Sequence, residues 1–333
     1  MNENCFHYLS GKNILVTGGA GFIGSHICSK LVEIGANVKC LDNLSTGKIE
    51  NISHLLAKEN FQFVEADIQD FNELLRKCDN IEIVNHQAAL GSVPRSISDP
   101  LTTHKSNVNG TLNIFEVSRL KKVKLVVFAS SSSVYGNSEK LPKIENEIGF
   151  PLSPYALTKL INEFYARVYN MNYNLSYIGL RYFNVFGERQ DPDGPYAAVI
   201  PKFIDKLVNN EKIVINGDGR HSRDFTHVEN VVYANMKAMS ANEISTNQVY
   251  NVGCGEEYSL NDLVSQIKKS LINVLPSLKF EIHYGQVRNG DIQSSRASID
   301  KIKKNLDYFV QKDFPTGIDE LVSNNITTWK KYI

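Results

Sequence analysis

Short apolar runs alternate with longer segments of helical period through the first half of the chain. "NILVTG" (13–18) reads as a strand, "GFIGSHICSKLVEIG" (21–35) carries apolar residues at helical spacing, and "NVKCLD" (37–42) reads as a strand again. The series continues with "FQFVEAD" (61–67), "IEIVNHQAA" (81–89), "KLVVFAS" (124–130) and "LSYIGLRYF" (175–183). Near-continuous apolar strands separated by helical segments predict crossover connections and a parallel sheet covered on both faces, hence a doubly wound α/β fold. Further on the pattern loosens: "DPDGP" (191–195) and "NGDGRHSRD" (216–224) are turn-rich, with "AVIPKFIDKLV" (198–208) as a helix between them. No repeat, low-complexity tract or flexible linker intervenes. A smaller mixed α/β unit is therefore expected to pack against the first, with a ligand between them at the carboxyl ends of the strands.

Composition removes several function classes. Lys plus Arg equals Asp plus Glu at 36 each, so no global field favours nucleic acid or an anionic membrane surface. The five cysteines form no CxxC pair, and their odd number argues against a complete disulfide framework and for a reducing compartment. "MNENCFHYLSGK" lacks a basic segment followed by an apolar core, and no uncharged apolar run approaches the roughly 20 residues of a membrane helix. The expectation is a soluble, cytoplasmic protein with neither nucleic acid nor membrane as partner. The eight histidines include no HxH or HxxxH pair, so no metal site is expected. His86, in "VNHQAA" at the carboxyl end of a strand, reads as a structural histidine bonding the backbone.

"GGAGFIG" supplies Gly18, Gly21 and Gly24 between a strand and a helix. Gly18 permits a tight turn, Gly21 lets backbone approach a pyrophosphate, and Gly24 allows close helix–strand packing, so that helix-terminal N–H groups meet the anion. Asp42 ends the next strand at the place of an acid that binds adenosine ribose hydroxyls, and no arginine follows it to receive a 2′-phosphate. NAD is expected over NADP. In "SPYALTK", Tyr155 and Lys159 lie four apart on one helix face, where an ammonium lowers the phenol pKa from near 10. "FASSSSVYG" (128–136) places four serines after a strand whose carboxyl end faces the same cleft, and it lacks the GxSxG elbow of a serine hydrolase.

Taken together, GxxGxxG, Asp42, "HQAA", the serine run and YxxxK make the chain resemble the extended short-chain dehydrogenase/reductase superfamily. "HQAALGSVPRSISDP" (86–100), "GLRYFNVFGERQDPDGPYAAVIPKF" (179–203) and "SRDF" (222–225) are similar to the nucleotide-sugar 4-epimerases, those acting on UDP-N-acetylglucosamine or its uronic acid in particular. The resemblance spans about residues 11–333 and implies a Rossmann-type NAD-binding domain over 1–184, with part of 222–252 packing back onto it, and a mainly UDP-sugar-binding domain over 185–333. It implies Tyr155 as base, Lys159 on the nicotinamide ribose, and Ser131 on the reacting sugar hydroxyl. It sets Phe22, Ile23, Asp42, Asn43, Thr46, Gly47, Asp67, Ile68, Gln87, Ser106 and Val185 against NAD beside the three glycines, Tyr155 and Lys159. Ser92, Ser131, Ser132, Tyr155, Asn184, Val199, Phe203, Asn216, Arg223, Arg288, Asp291 and Ser295 would hold the UDP-sugar, the two arginines gripping the diphosphate.

The reaction implied is reversible C4 epimerisation of UDP-N-acetylglucosamine to UDP-N-acetylgalactosamine through a 4-keto sugar. Related 4,6-dehydratases carry Thr-Asp-Glu where this chain has Ser131, Ser132 and Ser133, and decarboxylating relatives carry glutamate at the position of Ser133. A serine hydroxyl cannot replace a carboxyl acid. Ser295 is small where hexose-only members have tyrosine, which favours N-acetylated substrates. Epimerisation of UDP-N-acetylglucosaminuronate or UDP-glucuronate is the alternative; Ser92 and Arg95 could meet the C6 carboxylate, although Arg95 reads more simply as solvated. A catalytically silent NAD-binding module is the reading from another class. The resemblance also implies a homodimer through the helices at about 100–119 and 154–172.

Overall fold

The computed structural model describes residues 3–191, 198–276, 278, 280–286 and 293–329. β1 (Asn13–Thr17), α1 (Phe22–Glu33), β2 (Asn37–Asp42), β3 (Phe61–Glu65), α2 (Phe71–Lys77) and β4 (Ile83–His86) follow the apolar pattern. The segment after β4 does not form one helix. It divides into α3 (Val93–Ser98), α4 (Pro100–His104), a π-helical turn over Lys105–Asn109, and α5 (Gly110–Leu120). The Asn107 amide accounts for the break: it accepts from Leu90 N at 2.7 Å and donates to Leu90 O at 3.1 Å, tying the turn to the loop after β4.

β5 (Leu125–Ser131), α6 (Pro154–Tyr173) and β6 (Ser176–Tyr182) complete the regular alternation. Shorter elements follow: β7 (Val185–Phe186), α7 (Val199–Val208), β8 (Ile213–Asn216), β9 (Ser222–Arg223), β10 (Thr226–His227) and α8 (Val228–Met239). The chain ends with β11 (Gln248–Val252), β12 (Tyr258–Ser259), α9 (Leu260–Val274), β13 (Ile282–Gly285), β14 (Ser294–Ser295), α10 (Asp300–Leu306) and α11 (Phe314–Trp329).

The main sheet has seven parallel strands in the order β11-β6-β5-β4-β1-β2-β3. Successive strand residues face opposite layers, as the two-residue period requires. Val16, Val127 and Ile178 bury against Ile27 of α1 and Val231 of α8, whereas Leu15, Val126 and Tyr177 bury against Phe115 of α5 and Ala166 of α6. A third apolar cluster joins Phe203 and Ile204 of α7, Ile213 of β8, Leu263 and Ile267 of α9, and Phe314 and Ile318 of α11. β11 enters the main sheet although 65 residues (248 minus 183) separate its start from the end of β6 beside it.

Strand order reverses between β1 and β4. Crossovers leave in opposite directions there, opening a crevice at the strand carboxyl ends.

Candidate active site

A cavity of about 830 Å³ occupies that crevice, running from the β1–α1 turn past the ends of β2 and β3, across the serine run after β5, to Arg223 and Ser295 on β9 and β14. Its glycine-rich end is built by close backbone approach. Gly18 has φ +66°, and a Cβ on Gly24 would stand 2.1 Å from Gly18 O. Only glycine fits there, and the turn delivers the first-turn N–H groups of Phe22, Ile23 and Gly24, which an α-helix leaves without intrahelical partners, to the cavity.

Asp42 ends β2 with its carboxylate accepting from Ala20 N at 3.0 Å and Leu44 N at 2.9 Å. Burial pushes its pKa up while those backbone bonds oppose the rise. A negative group stands beyond the glycine turn, and Asp67, which accepts from Asn43 Nδ2 at 2.9 Å, lines the wall next to it with Ile68. This cradle of bare backbone, helix terminus and fixed carboxylate suits a dinucleotide with unmodified ribose hydroxyls.

The other end carries the reactive side chains. α6 starts where it does because Ser153 accepts from Ala156 N at 3.1 Å and Pro154 fills the first helical position. Tyr155 thus lies in the first turn, where the helix dipole favours a phenolate. Lys159, one turn on and buried, donates from Nζ to Ala129 O at 2.9 Å and stands 5.9 Å from the centre of the Tyr155 ring. Burial lowers its pKa to about 8.

The expected depression of the Tyr155 pKa by Lys159 is reversed among the polypeptide's own groups. Because Lys159 Nζ is turned to Ala129 O, desolvation governs the phenol and raises its pKa; a hydrogen bond with Ser131 acts in the lowering direction. His86 also differs from expectation. It bonds side chains, not backbone: Thr17 Oγ1 at 2.6 Å and Thr111 Oγ1 at 2.9 Å, with burial driving its pKa down to about 3. A neutral ring bridging β1, β4 and α5 is a brace beneath the cavity.

Of the residues singled out in the sequence for NAD, all line the cavity except Gly47, which packs behind the wall: a Cβ there would stand 2.8 Å from the Asp42 carboxylate. Ser106 reaches the wall from the π-helical turn. Of those singled out for the sugar nucleotide, Ser92, Ser131, Ser132, Tyr155, Asn184, Arg223 and Ser295 line it. Val199 and Phe203 do not, since α7 turns them into the third apolar cluster; Asn216, at the end of β8, is also absent from the wall formed by the described residues. Arg288 and Asp291 lie outside the described residues.

Some wall residues escaped the sequence reading or were given a different part in it. Tyr182, at the end of β6, donates to Gln87 Oε1 at 3.1 Å and accepts from Asn235 Nδ2 at 2.8 Å; its place at a strand carboxyl end was the available signal. Arg95 lines the cavity, contrary to the solvated placement expected of it. Ser133 does too, and its buried Oγ has no hydrogen-bond partner among the described residues. Ser130 does more than end a strand: its hydroxyl donates to Glu163 Oε1 at 2.5 Å. Asp224, fully buried beside Arg223, accepts from Cys254 N at 2.8 Å and Gly255 N at 3.0 Å, and its own N–H donates to Ser295 O at 2.8 Å. Desolvation raises its pKa to about 6.

Cys28, Cys40, Cys78 and Cys254 are free thiols. Among the described residues no cluster of His, Cys, Asp or Glu could hold a metal ion, and no helix is long and apolar enough to cross a membrane.

Comparison with known proteins agrees with this geometry. The profile of the family described as "NAD dependent epimerase/dehydratase family" matches residues 14–253. The UDP-glucose 4-epimerase of Mycolicibacterium smegmatis is 36% identical over 311 residues, covering 92% of this chain and 96% of that protein. Among solved structures, the UDP-N-acetylglucosamine 4-epimerase of Methanobrevibacter ruminantium M1, in complex with UDP-N-acetylmuramic acid, superposes with a TM-score of 0.89 at 39% identity, over 96% of this chain and 99% of that one. The UDP-glucuronic acid 4-epimerase of Bacillus cereus, in complex with UDP-glucuronic acid and NAD, gives a TM-score of 0.84 at 30% identity, over 95% and 99%. With a glycine-built nucleotide cradle and a Tyr–Lys pair at the sheet's carboxyl edge, the chain belongs to the NAD-dependent epimerase/dehydratase family and is a nucleotide-sugar 4-epimerase.

Proposed function

We propose that the protein interconverts UDP-N-acetylglucosamine and UDP-N-acetylgalactosamine at C4. The observation that carries the choice of sugar is Ser295: a small, buried residue at the cavity wall leaves volume that a bulky side chain would fill. Tyr155 takes the proton of the 4-hydroxyl while Ser131 hydrogen-bonds the same oxygen and Lys159 supports the phenolate. Bound in the glycine cradle, NAD would supply a reversible hydride acceptor for C4, leaving no net redox change over the cycle. After the 4-keto sugar presents its other face, Tyr155 gives its proton back.

Rotation without escape requires a firm grip at one end and a loose one at the other. Arg223 supplies the grip, its planar guanidinium matching diphosphate oxygens, and the Asp224 bonds to the 254–255 loop and to Ser295 hold its strand in position. Arg288 and Asp291 are assigned to the same end by resemblance alone. Residues 1–184 with part of the returning 222–252 segment form the NAD-binding part in this reading, and residues 185–333 mainly the UDP-sugar part.

A second reading has its own observation. Arg95 at the wall offers a cation to a C6 carboxylate, which a uronate carries and a hexosamine lacks. Incubating the purified protein with a panel of UDP-sugars, without added reductant, and resolving the C4 epimers decides between the two. Conversion of UDP-N-acetylglucosamine is expected; exclusive conversion of UDP-N-acetylglucosaminuronate or UDP-glucuronate transfers the assignment to the uronate. Turnover of none of them indicates a silent NAD-binding module.

The same proposal includes a homodimer. Leu157, Phe164, Val168 and Met171 line one exposed face of α6, beside Ile97 of α3 and Leu101 of α4. Met171 is 72% exposed and Leu101 73%, an apolar stripe of the kind a partner surface covers. Sedimentation is expected to show a dimer at micromolar concentration and a monomer for Phe164→Glu combined with Met171→Glu. A monomeric wild type removes the dimer from the proposal.

A further inference from the structure

We infer that Glu163, bound by Ser130 and Arg181, is a positioning residue for the Tyr155–Lys159 pair: it locks the base-bearing helix to the strand that ends in Ser131 and keeps a negative charge one turn from the Lys159 ammonium. The inference rests on the epimerase reading for its kinetic consequences, though not for its geometry. Tyr155, Lys159 and Glu163 succeed one another at four-residue steps on one face of α6, and each meets a different member of β5. The Tyr155 phenol faces the Ser131 hydroxyl, Lys159 Nζ donates to Ala129 O at 2.9 Å, and Ser130 Oγ donates to Glu163 Oε1 at 2.5 Å. These three rungs set the depth and rotation of the helix relative to the serine run.

Arg181 secures the third rung. From β6 its Nε donates to Glu163 Oε1 at 2.9 Å, its Nη2 to Oε2 at 2.7 Å, and its Nη1 to Glu145 O at 2.9 Å. The Tyr135 ring, 4.9 Å from the guanidinium carbon, covers its face, and the side chains of Arg181 and Glu163 are 4% and 7% exposed. A buried pair of this kind gives little net stability over a well-packed apolar substitute, because desolvating both charges offsets their attraction. What it does supply is direction: a forked donor and a carboxylate meet in one geometry. The second effect is electrostatic. Burial weakens the hold of Lys159 on its proton, and Glu163 opposes that. Among the described residues, the other titratable groups around Lys159 are Tyr155 on its own helix, the neutral His86 from β4, and Arg181 from β6 behind Glu163.

Glu163→Gln and Ser130→Ala, purified with NAD bound, test both effects. Glu163→Gln is expected to lower kcat by about 10- to 100-fold with KM within about 3-fold of wild type, and to move the basic limb of the kcat–pH profile about one unit lower. Ser130→Ala, which alters no charge, is expected to lower kcat by roughly 5-fold and to leave that limb in place. Wild-type kcat and an unmoved limb in folded, NAD-loaded Glu163→Gln overturn the inference. If Glu163→Gln fails to fold, an unchanged kcat in Ser130→Ala overturns it, and the 5-fold loss at constant KM sustains it. Should the wild type turn over no UDP-sugar, the epimerase reading falls by itself. Tyrosinate absorbance in difference against Tyr155→Phe then decides the positioning role: in Ser130→Ala, which alters no charge, Tyr155 is expected to ionise at higher pH as the Ser131 hydroxyl shifts away from it, and a titration coincident with wild type refutes it.

Discussion

Tyr155→Phe is expected to reduce kcat for C4 epimerisation by about 10³-fold, roughly 4 kcal/mol of barrier, with KM and bound NAD nearly unchanged. The substitution removes one oxygen and leaves the ring, helix and Lys159–Ala129 bond as they are. The remaining ionisable groups on the wall are poorly suited to replace it. Asp42 and Asp67 stand at the opposite end, the first fixed by two backbone N–H groups and the second by Asn43. Asp191 is paired with Lys48 at 3.2 Å, the Tyr182 hydroxyl is held between Gln87 and Asn235, and Arg95 and Arg223 are cations. Lys159 itself is turned to a carbonyl. Single-turnover and steady-state rates on the preferred UDP-sugar check the prediction; a variant within about 3-fold of wild type would falsify Tyr155 as the base.

The second large effect belongs to the glycine turn. In Gly24→Ala the new methyl meets Gly18 O at 2.1 Å, Gly18 C at 2.8 Å and Gly19 Cα at 2.9 Å, all backbone atoms of the turn itself. No side chain can swing aside, so the turn must open, and with it the alignment of N–H groups on the pyrophosphate. A loss of about 1–3 kcal/mol in stability is expected from the overpacking, and NAD retention should fall at least about 100-fold. Gly21→Ala, whose Cβ meets only Gly18 O at 3.1 Å, is expected to be milder. NAD released on denaturation of the purified variants, together with their melting temperatures, measures both. Full NAD occupancy in Gly24→Ala would show that this turn does not carry the pyrophosphate.

Much of this architecture was legible in the chain because its signals are local. Apolar runs such as "KLVVFAS" mark strands by themselves, and the glycine spacing and the four-residue step from Tyr155 to Lys159 depend only on neighbouring backbone. What could not be read are pairings across long separations. Nothing near Ser130 announces that its hydroxyl meets Glu163, or that Arg181 closes the pair from the next strand. His86 likewise looked ready to bond backbone, and only the register of Thr17 beside it in β1, with Thr111 above, supplies hydroxyls instead. Val199 and Phe203 show the ambiguity from the other side. Their apolar spacing in α7 is equally good for a core face and a ligand face, and the cluster with α9 and α11 claims them. The phenol pKa went astray for the same reason: spacing gives the proximity of Lys159 but not the carbonyl to which its ammonium turns.

The position of β11 has a consequence for how the protein is made. β6 ends at residue 182, but the strand that covers its outer edge is complete only at residue 252, 70 residues later. At translation speeds of about 5–20 residues per second, the nascent chain carries β6 with a row of unpaired N–H and C=O groups for roughly 4 to 14 s. During that interval the nucleotide-binding half cannot finish folding, and an open strand edge is available to neighbouring nascent chains. Fragments ending shortly after residue 182 should therefore aggregate when expressed, and slowing elongation between 183 and 252 should raise the dependence of the full chain on chaperones.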